Sequence, residues 1–163
     1  MAKVGVVMGS TSDLPIVQKA LDTLDAYGVE YQVRVLSAHR CPKEAAEFAQ
    51  QAQTSGFQVL IAAAGMAAHL AGALAANTVL PVIGIPCKSS SFDGWDALLA
   101  TVQMPSGIPV ATVAVDGAKN AALLAIEILA LHDGQLAAKL REARIADKDK
   151  VLQADEALNK PTK

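Results

Sequence analysis

Several features that mark particular protein classes are scarce in this 163-residue sequence. Its two cysteines, Cys41 and Cys87, lie far apart and form no C-x-x-C pair, so a disulfide scaffold, a zinc site and a redox dithiol all lack a sequence basis. Both are read as small buried or loop thiols. The aromatics are Tyr27, Tyr31, Phe48, Phe57, Phe92 and Trp95, too few and too scattered for the stacking loops of a flavin site. No apolar run approaches the ~20 residues of a membrane helix. The strongest stretches, 59–64 and 70–85, are bounded or broken by Gly65, His69, Asn77 and Pro81. The N-terminus does not follow a signal-peptide pattern, because Lys3 is followed at once by a short Val-rich run and then Gly9-Ser10. Charge of one sign is missing too: 14 basic against 16 acidic residues give a net −2, which argues against a nucleic-acid surface. The expectation is a soluble cytoplasmic protein with neither nucleic acid nor membrane as partner.

What the sequence has in quantity is small apolar residues. Hydrophobic residues make up 52% of the chain, with 32 alanines and 11 glycines among its residues. A chain of this length buries roughly 70% of the surface its unfolded form exposes, enough for a full core without staples. So much alanine and glycine implies close packing of helices on a sheet.

Short β-rich runs alternate with longer Ala-rich helical segments. Strands are predicted at 3–8, 31–36, 59–64, 81–85 and 110–115, mostly Val, Ile and Leu between Gly, Pro or Ser. Such near-continuous apolar runs suit a parallel sheet covered on both faces. Helices are predicted at 14–27, 43–55, 67–76, 94–103 and 119–132. Ser12 or Asp13 is expected to cap the first, with Pro15 in its first turn and Gly28 as its stop; Pro42 opens the second, which Gly56 ends. This β-α-β-α order implies right-handed crossovers and an α/β fold: a three-layer α/β/α sandwich on a flavodoxin-like parallel five-stranded sheet, order 2-1-3-4-5, with an extra C-terminal helix. Residues 1–134 form the expected flavodoxin-like domain. Residues 135–163 are read as a solvent-edged helix and a frayed tail, ending with Pro161, of the same single domain. Docking of that segment on a neighbouring subunit stays open.

In an open parallel sheet, ligands bind beyond the carboxyl ends of the strands where strand order reverses. With order 2-1-3, that crevice is built from Gly9-Ser10-Thr11-Ser12-Asp13, Ser37-Ala38-His39-Arg40-Cys41-Pro42 and Ala64-Gly65-Met66-Ala67-Ala68-His69, which bring two of the three histidines to one edge. The first segment is equally a plain turn with a helix cap, or an anion site of hydroxyls and backbone N–H groups whose Asp13 accepts hydrogen bonds from ribose hydroxyls. His39 beside Arg40 suits an anion clamp next to a titratable group. His69 fits a structural role as well as a functional one, and His132 suits the C-terminal end of a helix dipole. Neither G-x-x-x-x-G-K-[ST] nor G-x-G-x-x-G is present, and Thr11 occupies the serine position of a G-x-S-x-G elbow.

Taken together, Val7-Met8-Gly9-Ser10-Thr11-Ser12-Asp13, Ser37-Ala38-His39-Arg40-Cys41-Pro42, Ala67-Ala68-His69-Leu70 and Gln103-Met104-Pro105-Ser106-Gly107-Ile108-Pro109-Val110 resemble the N5-carboxyaminoimidazole ribonucleotide mutase family of purine biosynthesis. The run Asn120-Ala121-Ala122-Leu123-Leu124-Ala125 adds to a likeness spanning about 4–133. The resemblance implies an isomerase that moves a carboxylate from N5 to C4 of an aminoimidazole ribonucleotide with trapped carbon dioxide, without metal, ATP or organic cofactor, in a homo-octamer. It implies that His39 is the catalytic acid/base and that Ser10, Asp13 and Arg40, helped by Ser12 and Ser37, hold the ribose phosphate. Ala64, Gly65, Ala67 and His69 complete the implied substrate site, the small residues leaving room for carbon dioxide. Met66 stands where the family has the second Gly of a pair, Ala71 replaces the Pro after His-Leu, Cys41 replaces a common Thr, and 115–119 is shorter than its counterpart. The alternatives are a related carboxylase using free carbon dioxide, which tends to carry Lys after the His and to lack Ala-Ala-His-Leu, and a non-catalytic nucleotide-binding module on the same fold.

Overall fold

Successive side chains of a strand point to opposite faces, and here each face meets its own set of helices. The structure, a computed structural model, describes residues 3–159; Pro161 lies outside them. Its sheet has five parallel strands, β1 (Lys3–Met8), β2 (Glu30–Val35), β3 (Phe57–Gly65), β4 (Val82–Cys87) and β5 (Ala111–Thr112), in the order β2-β1-β3-β4-β5. Val4, Val6 and Met8 of β1, with Val59, Ile61, Ala63, Ile83, Ile85 and Cys87, pack on α1 (Leu14–Tyr27) and α5 (Ala118–Ala130). The alternate residues Val7, Leu60, Ala62 and Val82 pack on α2 (Pro42–Ala52) and α3 (Leu70–Ala75). The expected three-layer sandwich with that strand order is what the chain forms.

Alanine sets how closely the layers approach. Ala118, Ala121, Ala122 and Ala125 form the buried face of α5, and Ala45, Ala49 and Ala52 that of α2. Close approach is tightest at Gly84 on β4, where α4 (Trp95–Val102) crosses. A Cβ built there would strike the Thr101 methyl and lie 3.1 Å from Val110 Cγ1 and 3.2 Å from Ala71 Cβ. Gly28 ends α1 in the left-handed conformation (φ 71°), where its N–H reaches the carbonyls of Leu24 and Asp25.

Some elements differ from their sequence expectation for identifiable reasons. β2 is an edge strand with much of its surface exposed, so the two-sided burial of a parallel sheet applies to β1, β3 and β4 but not to it. β5 shortens to Ala111–Thr112, because only those residues pair with Ile83 and Gly84 at the opposite edge. The predicted helix at 67–76 starts only at Leu70, since 66–69 form the loop leaving β3. Instead of Ser12 or Asp13, Ser10 supplies the cap, on a 3-10 turn (Thr11–Asp13) that precedes α1. The expected C-terminal helix is α6, continuous over Gly134–Leu158, and the end of the expected tail lies outside the described residues. Asp133 accepts hydrogen bonds from Gln135 N–H (2.9 Å) and Leu136 N–H (3.1 Å) at its start, and Lys139 Nζ donates to the Tyr27 carbonyl at 2.9 Å. No helix among the described residues is long and apolar enough to cross a membrane.

The β4–α4 contact gives a direct check on this packing. Gly84→Ala is expected to destabilise the fold by about 1–3 kcal/mol, the usual cost of overpacking, read as a lower urea midpoint with an unchanged slope. A neutral or stabilising effect would show that α4 does not sit this close to the sheet.

Candidate functional site

The strand order reverses between β1 and β3, so the loops leaving these strands part and open a crevice at their carboxyl ends. A cleft of about 800 Å³ lies there, lined by Gly9, Ser10, Ser12, Asp13, Ser37, Ala38, His39, Arg40, Ala64, Gly65, Met66, Ala67, Leu70 and Lys88 to Ser90. Every substrate-site residue expected from the sequence is in this wall except His69. That ring stands beside the cleft in edge-to-face contact with His39, centroids 6.1 Å apart and planes at 76°.

The β1 loop is a tight polar turn. Ser10 Oγ accepts from the Ser12 backbone N–H (3.2 Å) and from the Ser12 hydroxyl (2.9 Å), and the Asp13 N–H donates to the Ser10 carbonyl at 3.1 Å. This turn leads directly into α1, with the Ser12, Asp13 and Leu14 N–H groups satisfied within the turn by Ser10 Oγ, the Ser10 carbonyl and the Thr11 carbonyl. Asp13 has a carboxyl pushed above the usual aspartate range, because desolvation by burial outweighs the hydrogen bond it receives from the Ser10 backbone. Beneath the same region the Cys87 thiol is pushed up to about 12 by burial, with Asp13 and Asp116 adding to the effect, so it stays a neutral packing group.

The β2 loop presents His39 and Arg40 from a closed turn. The Cys41 N–H donates to the Ser37 carbonyl (2.8 Å), Ser37 N–H donates to Cys41 Sγ (3.0 Å), and Arg40 N–H donates to Ser37 Oγ (3.3 Å). Arg40 then reaches back across the sheet, its Nη2 donating to the Gly9 carbonyl at 2.8 Å. The bond ties the β1 and β2 loops together through one of the five guanidinium N–H donors.

The β3 loop is made of small residues apart from Met66. That residue adopts φ 55°, the left-handed conformation natural to glycine, with its side chain 63% exposed. Met66 lines the same cleft as Ala64, Gly65 and Ala67, so this wall is small residues with one long, exposed side chain among them.

Sequence reasoning missed the wall supplied by β4. Lys88, Ser89 and Ser90 follow Cys87, which pairs with Gly65, so they stand next to the small-residue loop. Lys88 N–H donates to Asp116 Oδ1 (2.8 Å), while its ammonium lies 3.0 Å from Asp93 Oδ1, a bond that raises its pKa above the ordinary lysine value. A lysine and three serines after a strand beside the crevice was the available signal. A separate groove of about 690 Å³ runs between α1, α5 and α6, away from the strand ends. Among the described residues, no three His, Cys, Asp or Glu side chains gather as a metal site.

Fold and cleft define a flavodoxin-like α/β protein with a polar, histidine-bearing cleft at its switch point. The profile of the family described as AIR carboxylase matches residues 3–150, and the chain belongs to that family. It is 54% identical over 144 residues to the N5-carboxyaminoimidazole ribonucleotide mutase of Pyrococcus abyssi, covering 88% of this chain and 83% of that one. It is also 45% identical over 156 residues to the chloroplastic phosphoribosylaminoimidazole carboxylase of Vigna aconitifolia, covering 96% of this chain but 28% of that longer protein. The crystal structure of Treponema denticola PurE superposes with a TM-score of 0.90 at 29% identity, covering 98% of this chain and 100% of that one.

The raised carboxyl of Asp13 has a signed consequence. The folded chain binds that proton more tightly than the unfolded chain, so ionised Asp13 costs stability above its folded pKa, and the cost vanishes as pH falls toward the ordinary 3.8. Asp13→Asn is expected to melt above the wild type at neutral pH, with the gap closing on acidification in thermal melts across a pH series. A gap that widens in acid would contradict this assignment.

Proposed function

We infer that this chain is an N5-carboxyaminoimidazole ribonucleotide mutase, transferring the carboxylate from N5 to C4 of the ribonucleotide in purine biosynthesis. The observation that carries the reading is the meeting of His39, Arg40, the Ser10 to Asp13 turn and the small-residue loop in one cleft, within a chain so similar to a relative of that name over most of both lengths. The plant carboxylase keeps the second reading, addition of free carbon dioxide, in view.

Each residue has a role that follows from its chemistry. Ser10, Ser12, Ser37 and Arg40 hold the phosphate and Asp13 accepts from the ribose hydroxyls, which places the imidazole beside His39. An imidazole side chain both gives and takes a proton near neutrality. His39 donates a proton to N5 as the N5–carboxyl bond breaks, leaving aminoimidazole ribonucleotide and carbon dioxide in the cleft. C4 attacks the carbon dioxide, and the C4 proton passes to His39, which restores both the ring's aromaticity and the histidine's starting state. Substrate and product are isomers and the proton is returned, so the reaction calls for no cofactor. His69, edge-on to His39, limits the rotation of its ring. Ala64, Gly65 and Ala67 leave space for carbon dioxide and let backbone N–H groups approach its oxygens.

Subunit assembly belongs to the same reading. Trp95, Leu99 and Val102 follow helical spacing along one face of α4 and Phe92 lies in the turn before it, with Phe92 66% and Trp95 67% exposed in the single chain. The outer half of α6 likewise exposes Ile145, Val151, Leu152 and Leu158. An apolar surface of that kind supports a homo-octamer in which residues 1–134 hold the cleft and α6 serves contacts between subunits. Two free thiols agree with a cytoplasmic setting.

His39→Asn is expected to lower kcat by about 10²–10⁴-fold while aminoimidazole ribonucleotide binds within a few-fold of wild type; parallel loss of binding, or unchanged turnover, would remove His39 from the chemistry. Supplied with the N5-carboxylated compound in bicarbonate-depleted buffer, the enzyme should form the C4 carboxylate. Activity only on aminoimidazole ribonucleotide plus carbon dioxide would establish the carboxylase instead. Trp95→Glu should reduce the sedimenting species to smaller assemblies, and an unchanged coefficient would place the interface elsewhere.

A further inference from the structure

The cleft has a cation at each end. Arg40 enters from the loop after β2 and Lys88 from the end of β4, with β1 and β3 between them. Three strand spacings, roughly 14 Å of backbone, separate those strands. Arg40 is tied to the Gly9 carbonyl beside the Ser10–Ser12 turn, which marks that end as the phosphate end. Lys88 stands at the other, immediately after the residue that pairs with Gly65 in the small-residue loop.

Lys88 is also held so that its ammonium can be exchanged between partners. Its backbone is fixed by the hydrogen bond from its N–H to Asp116, whereas its ammonium rests on Asp93, an exposed carboxylate in the left-handed conformation (φ 51°) on the following loop. An ion pair between two exposed side chains contributes little. A ligand carboxylate entering the cleft therefore displaces Asp93 at small cost and gains a charge-assisted hydrogen bond in return. The substrate and product of the proposed reaction are trianions at neutral pH, a phosphate at one end and a carboxylate at the other. The intermediate between them has lost the carboxylate charge and keeps only the phosphate's.

We propose that Lys88 is a specificity-determining residue that recognises the carboxylate of the substrate and product, taking it over from Asp93 at the end of the cleft opposite Arg40. The proposal rests on the mutase reading. It makes Lys88 sense the presence of the carboxylate without contributing to the grip on the ribose phosphate. Once the carboxylate has left as neutral carbon dioxide, Lys88 returns to Asp93, and the ring stays held by the phosphate end.

Equilibrium titration calorimetry with two stable ligands separates the possibilities: 5-aminoimidazole ribonucleotide and its 4-carboxylate. Lys88→Gln should weaken the 4-carboxylate about fivefold to tenfold, the scale of one exposed charge-assisted contact, and leave aminoimidazole ribonucleotide within about twofold. Unchanged binding of the second ligand also shows that the variant is folded. Asp93→Asn, which removes the competing carboxylate, should tighten the 4-carboxylate selectively. Equal weakening of both ligands by Lys88→Gln would make Lys88 a phosphate contact, and no change in either would leave it a surface lysine; both results overturn the proposal. Failure of the wild type to bind either ligand would instead sink the mutase reading on which it stands.

Discussion

The reversal of strand order between β1 and β3 is the constraint on which the remainder of the molecule depends. The crossover from β1 runs to β2 on one side and that from β3 runs to β4 on the other, so the loops leaving β1 and β3 diverge at the carboxyl ends of the strands. The Ser10 to Asp13 turn is attached directly at that divergence, with His39 and Arg40 on the neighbouring β2 loop and Lys88 to Ser90 after β4 completing the polar wall. Gly9 N–H still donates to the Ala63 carbonyl at 3.1 Å and Leu36 N–H to the Met8 carbonyl at 2.9 Å, so the ladder holds to the brink of the loops. Rigidity up to that edge gives short loops a defined place to project His39, Arg40 and Asp13.

The same geometry concentrates backbone strain and desolvation around the cleft. Met66 is left-handed beside the cleft, as are Asp93 and Asp116 on the β4 side; aspartate visits that region readily, so Met66 carries the backbone cost. Asp13 sits desolvated enough to raise its carboxyl. Proteins commonly accept such costs at sites of function and offset them in the core. Here the offset lies in two apolar layers in which Leu24, Leu60, Ile61, Leu74, Ile83 and Ile126 are fully buried.

Much of this could be read from the chain itself. Strand β1 and helix α1 were legible to the residue, because the Val-rich run, Pro15 and Gly28 are local signals with local causes. The three loops were legible as a group, since a 2-1-3 order places them together whatever their detailed shape. What could not be read depends on neighbours. β5 is cut short by pairing with only two residues of β4, and α6 runs on to Leu158 because good helix formers continue past the point where apolar burial ends. Lys88 was missed for a similar reason, as its position in the cleft follows from the Gly65–Cys87 pairing and not from any motif around it. Ser10 rather than Ser12 or Asp13 caps the turn, because a 3-10 segment intervenes before α1, a difference of one turn that propensity does not resolve.

The central proposal is that one cleft both breaks the N5–carboxyl bond and forms the C4–carboxyl bond, with carbon dioxide kept inside. Isotope retention tests it most directly. Substrate labelled with ¹³C in its N5 carboxylate, turned over in buffer rich in unlabelled bicarbonate and carbonic anhydrase, should give a C4 carboxylate that retains the label at early conversion. Product carrying the unlabelled carbon of the buffer would contradict the account, because carbon dioxide would then be reaching C4 from solution.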